Sequence, residues 1–297
     1  SVLVTGANSL WTNSGEFKVG FSGSSNSLVI SNGGTVVNSA GYIGFTNTAS
    51  NNSVLVTDGG TWTNSSSLTI GDSGSGNSLV ISNGGTVASG TGYIGFTNIA
   101  SNNSVLVTGE GSAWNGSIIL VGLSGSSNSL VISDGGTVAN GNGVIGADES
   151  SSNNSVLVTD GGTWTNSGEL YVGGFGSGNS LVISNGGTVA SGIGYIGFTN
   201  TASNNSVLVT GEGSAWNGSS IAVGLYSSGN SLVISNGGTV AAAGDVFVGI
   251  FGSSNSVMIS NGGEFFVGTN LVISALGAES SNNSVSISGG SLTVTNG

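Results

Sequence analysis

Thirteen carboxylates, one ammonium group and five phenols are the side chains of this 297-residue chain that could titrate, for it has neither His nor Cys. Without an imidazole or a thiol, the usual Ser-His and Cys-His nucleophile pairs cannot form, and zinc loses its preferred ligands. What remains is the chemistry of paired carboxylates, which cleave glycosidic bonds as general acid and base. Asp148 and Glu149 are the one adjacent pair, in a loop (146–152) that reads as a solvated insertion. Asp58 and Asp160 stand at corners where other copies carry Asn, and Glu110 and Glu212 belong to matching Gly-Glu-Gly-Ser-Ala-Trp corners, so turn chemistry and copying account for them. A polysaccharide lyase would also need a base for the α-proton and a cation for the uronate, and Lys18 is the sole cation. No catalytic residue, metal site or cofactor is assigned, and no enzymatic activity is expected. Hard oxygen ligands leave calcium as an alternative, but the Gly-Gly-x-Gly-x-Asp nonapeptide is absent and the acids are scattered. Their expected role is to keep a long body soluble and self-repelling.

The elements that carry these residues recur. Twelve short apolar runs open on Ser, from Ser1 and Ser27 to Ser256 and Ser284, at intervals of 25 or 26 residues apart from a last interval of 28. A fixed period of this size means one unit stacked on copies of itself. In the unit 26–51, residues 28–30, 35–37 and 42–45 read as three strands separated by three corners, the first of them Asn32-Gly33-Gly34. Gly supplies positive φ at such corners, and Asn or Asp tolerates the same region. Alternation turns Leu28, Ile30, Val36 and Ile43 inward and Val29, Thr35 and Tyr42 outward. The expected fold is all-β: a right-handed parallel β-solenoid (β-helix) of about twelve coils with three short strands each, since parallel crossovers are right-handed. It forms a single body over 1–297, regular over 1–255 and irregular over 256–297, and reads as a segment of a longer protein. The stretch 264–279, with Phe265, Phe266, Leu271, Ile273 and Leu276, is the candidate cover for one end. Otherwise the ends offer head-to-tail stacking into a filament.

Two files stand out. Asn precedes the coil-opening Ser at Asn26, Asn52, Asn77, Asn103, Asn128, Asn154, Asn179, Asn205, Asn230, Asn255 and Asn283. Stacked in register, each amide can donate to the carbonyl of the next, which makes this a structural ladder. The tryptophans Trp11, Trp62, Trp114, Trp164 and Trp216 mark every second coil, while the intervening coils carry Val there and Gly41, Gly92, Gly143 or Gly194 in the third strand. An indole leaning over the space above a Gly would keep the core close-packed. The alternative turns the Trp file outward as a sugar-stacking row, a glycan-binding module. Tyr42, Tyr93, Tyr171 and Tyr195 share an outward file with Lys18, Thr69, Leu120 and Ala222, which reads as strand cover. A Thr file at Thr35, Thr86, Thr137, Thr188 and Thr239 suggests ice binding, but Leu10, Ala113 and Ala215 interrupt it.

With a single Lys and no Arg, nucleic acid is an unsuitable partner, and no apolar stretch approaches a membrane span. Self-association, head to tail or lateral, and contacts with surface glycans or neighbouring cells remain as partners. The blocks Asn-Ser-Leu-Val-Ile-Ser-Asn-Gly-Gly-Thr-Val at 26–36 and Gly-Tyr-Ile-Gly-Phe at 41–45 resemble the repeats of bacterial autotransporter passengers and giant surface adhesins. The resemblance implies secretion across an outer membrane, a right-handed β-solenoid and a role as stalk or adhesin at the bacterial cell surface. The expected function is that of an extracellular structural repeat protein.

Overall fold

A computed structural model describes residues 1–274 and 280–295, and no helix occurs among them. Among the described residues, thirty-three strands wind through twelve coils. The first strands of all coils, from Val2–Thr5 to Ser284–Ser288, form one 12-stranded sheet, and the second and third strands form another of 21. Every pairing is parallel and in register, so like residues lie over like: Leu28 on Val54, Ile30 on Val56, Trp62 between Val36 and Val87.

The first corner is fixed by local chemistry. Asn32 and Asp58 adopt φ of 50° and 51°, the left-handed region that Asn and Asp tolerate, and the glycine that follows each is left-handed too. The third corner opens on a left-handed glycine in the first ten coils, from Gly20 to Gly249, and on Ser274 in the eleventh, and a second left-handed residue such as Asn51 or Gly76 follows. At Gly95, with φ +79°, a Cβ would also lie 2.2 Å from the Asn128 amide nitrogen, so the position is restricted twice over.

The second corner is built differently from the other two. Among the described residues no left-handed residue fixes it, and in two coils the strand runs straight through as Thr188–Ile196 and Ala215–Val223. The glycines there serve close approach instead: a Cβ on Gly90 would meet the Ser66 carbonyl oxygen at 2.3 Å.

Inside, one hydrophobic cluster runs from Val4 to Val267, built from the alternation the sequence shows: Leu28, Ile30, Val36 and Ile43 are buried while Val29, Thr35 and Tyr42 are partly exposed. The stretch expected to cover an end belongs instead to the eleventh coil. Glu264–Val267 and Leu271–Ile273 continue the second and third strands in register, and Phe265 is buried in the tryptophan file. Leu276 lies outside the described residues. The sequence changes here, but inward positions stay apolar and the register survives.

Candidate functional site

The adjacent carboxylate pair faces water. Asp148 and Glu149 are exposed, and Asp148 Oδ1 already accepts from the Ser150 amide and hydroxyl, both at 3.1 Å. Their loop is not an insertion. Ser151 N–H donates to the Asp148 carbonyl as Ala49 does to Thr46 and Ala100 to Thr97, so the pair occupies the ordinary third corner of its coil. Asp58, Asp134 and Asp160 hold left-handed corner positions, and Glu110 and Glu212 are exposed at theirs. Among the described residues, no group of three Asp or Glu side chains converges as a cation site. Asp245 sits below the usual carboxylate range because Thr269 and Asn270 donate to it, the former at 2.5 Å.

The polar groups inside the rod are committed to one another. At each of ten steps from Asn26 to Asn283, the backbone N–H and the side-chain Nδ2 of one asparagine both donate to Oδ1 of the next, at 2.8–3.0 Å and 3.0–3.3 Å. The nine asparagines between those two are fully buried. A polar file of this kind would be costly if unpaired, yet among the described residues every buried side-chain nitrogen and oxygen has a partner.

Trp62, Trp114, Trp164 and Trp216 are fully buried, so the indoles form no outward stacking row; only Trp11, in the first coil, is exposed, at 39%. Each buried indole lies over the glycine of the preceding coil: a Cβ on Gly41, Gly92, Gly143 or Gly194 would come within 2.3–2.8 Å of Trp Cζ2. Each indole N–H also finds an acceptor in that preceding coil: Asn38 Oδ1 at 2.7 Å, Ser89 Oγ at 3.2 Å, Asn140 Oδ1 at 2.8 Å and Ser191 Oγ at 3.1 Å. Asn38 and Asn140 then donate to the buried Asn64 and Asn166.

The sequence reading overlooked this second polar set. Its signal is present, since Asn38, Ser89, Asn140 and Ser191 recur at the coil-pair spacing, one before each tryptophan coil. Where Phe265 replaces tryptophan, the same files carry Val246 for the glycine and Ala242 for the acceptor. A smaller ring with no N–H needs neither the space nor the partner.

A partly exposed aromatic row belongs to the third-strand face. Tyr42 meets Phe45 edge-on at 5.1 Å and Tyr93 meets Phe96 at 5.0 Å, two coils apart. Tyr171 stacks on Tyr195 at 5.0 Å, with Phe198 edge-on to both. Lys18 pairs with Glu16 and lies 4.1 Å from the Phe45 ring centre. Burial raises the Asp72 carboxyl, opposed by the Ser73 hydroxyl and Lys18. Burial, and then the hydrogen bond its hydroxyl donates to Glu169, pushes the Tyr171 phenol up.

On the second-strand face, Thr61 bonds Thr86 at 3.2 Å and Thr163 bonds Thr188 at 3.1 Å, so these hydroxyls turn to each other in pairs.

No protein-family model matches this chain, and none of the curated proteins does. A similar solved structure is the crystal structure of a TibC-catalysed, hyper-glycosylated TibA fragment, with 17% identity, 97% of this chain and 100% of that one covered, and a TM-score of 0.38.

Proposed function

We propose that this chain is a rigid, non-enzymatic structural segment exposed at a bacterial surface, a stalk or spacer of the adhesin kind. The observation that carries the reading is the unbroken asparagine ladder beside a continuous apolar core, from the second coil to the twelfth. Each coil is held by its neighbours through the same bonds, so stability grows with coil number. The interior is filled by groups that satisfy one another, and the ionisable side chains are left to corners and surface.

Deletion of one coil pair, residues 53–103, joins Asn52 to Ser104 in the same register. The shortened chain is expected to fold and to lose about 10 Å of length. Antibody raised against the segment should label intact producing cells. Signal confined to lysates, or failure of the in-register deletion to fold, would overturn the reading. So would cleavage of a polysaccharide that disappears in Asp148→Asn or Glu149→Gln.

A further inference from the structure

The third-strand face carries rings, and it also carries gaps between them. The outward file directly after the third-corner glycine reads Phe45, Asp72, Phe96 and Leu123, then falls to Ala147 and Gly174 before Phe198. Two small residues in succession open a hollow of about 230 Å³ lined by Val144, Ala147, Tyr171, Gly174, Phe175 and Phe198. Its ring wall is preassembled: Tyr171 and Tyr195 stack at 14°, and Phe198 stands edge-on at 5.1 and 4.9 Å. Phe175 also lines the hollow and is 46% exposed. A second hollow of about 230 Å³ lies on the same face over Ala222, between Tyr195 and Phe247. Two coils separate the hollows, about 10 Å along the axis.

The ligand must offer apolar ring faces to these aromatics and hydroxyls to the nearby acceptors, the Glu169 carboxylate bonded by the lining Tyr171 and the exposed Asp148 that follows the lining Ala147. Pyranose rings offer both. Each hollow is smaller than the 300–1,000 Å³ usual for a whole small-molecule site, a size suited to one sugar residue of a longer chain. Charge selects further. The sole cation, Lys18, is six coils away, and the chain carries a net charge of −12, so uronates, sulfates and phosphates are repelled. A second copy of this chain would bring the same carboxylates against Asp148, Glu149 and Glu169. We propose that this face binds an extended neutral glycan running along the solenoid axis, with one sugar residue in the hollow over Ala147 and Gly174. The inference is independent of the stalk reading, since it concerns one face and not the role of the rod.

The test is calorimetric titration of the folded chain with cellohexaose, with N-acetylchitohexaose and with the anionic hexagalacturonate, alongside sedimentation velocity. At least one neutral oligosaccharide should bind saturably without being cleaved, and hexagalacturonate about tenfold more weakly or not at all. Ala147→Phe restores the residue that Phe45, Phe96 and Phe198 place in the same file, so it should keep the fold while filling the hollow, and binding should be lost. Phe175→Ala, at an exposed lining position, provides the second variant and should weaken binding about tenfold. The proposal is overturned if neither neutral oligosaccharide binds, if hexagalacturonate binds equally well, or if binding is indifferent to both substitutions. It is overturned equally if sedimentation shows self-association that Ala147→Phe abolishes, which would assign the hollow to a second copy.

Discussion

Gly92→Ala should destabilise the rod even though the Gly92 backbone lies outside the left-handed region and would accept a side chain. In an open strand the change would stabilise by about 0.4–1 kcal/mol through the unfolded chain. Here the new methyl would lie 2.4 Å from Trp114 Cζ2 and 3.0 Å from Cη2, and the indole is fully buried and tied to Ser89 at 3.2 Å. Overpacking costs about 1–3 kcal/mol, and a 2.4 Å contact with a pinned, buried ring belongs at the upper end of that range, which leaves a net loss of about 2 kcal/mol. Trp114→Phe removes the two crowding atoms. In that background the same alanine should be neutral or stabilising, a coupling of about 1–3 kcal/mol. The chain already contains this exchange in the files that carry Val246, Ala242 and Phe265. Urea unfolding followed by far-ultraviolet circular dichroism measures the cycle. Gly116→Ala, whose methyl would find its nearest neighbour at 3.4 Å, serves as control. A neutral Gly92→Ala, or an equal penalty with tryptophan and with phenylalanine, would refute the indole-over-glycine reasoning.

Asn128→Ala strips the acceptor from both the backbone N–H and the Nδ2 of buried Asn103 and should cost about 2–5 kcal/mol in urea unfolding. Asn26→Ala, at the exposed first step, should cost less than about 1 kcal/mol. Acrylamide should quench only a minor part of the tryptophan emission, and Trp11→Phe should remove that part, because the other four indoles are buried. Asp72 has a folded pKa above its unfolded value, so its charge opposes folding at neutral pH, and that penalty is relieved as pH falls through the raised pKa. Asp72→Asn should therefore be more stable than the parent at pH 7, with the difference closing in acid. Equal urea midpoints at pH 7 would contradict this.

Features written locally were legible in the sequence. Asn32-Gly33-Gly34 and its copies announce a corner because few residues adopt that backbone, and alternation assigns Leu28 and Ile30 to one side. The asparagine file was visible because a short period repeats it without a break. Relations between neighbouring coils were harder to see. Among the described residues the second corner has no left-handed residue to mark it, so nothing in Thr188–Ile196 distinguishes a bend from a strand that runs through. Asn38 and Ser89 look like ordinary strand ends until the indole N–H of the following coil is brought to them. The hollow over Ala147 and Gly174 is likewise a property of three coils at once. In one dimension it is only an interruption in a file of rings.

Spin-label distances test the stacking of like residues most directly, and the absence of native cysteine makes the labelling clean. Asn47, Asn98 and Asn200 are exposed at equivalent third corners of the second, fourth and eighth coils. Register along one axis predicts narrow distributions near ~19 Å for labels at 98 and 200 and near ~29 Å for labels at 47 and 200, about 4.8 Å for each coil crossed. Distances that do not scale with coil number, or distributions spread over tens of ångströms, would contradict it.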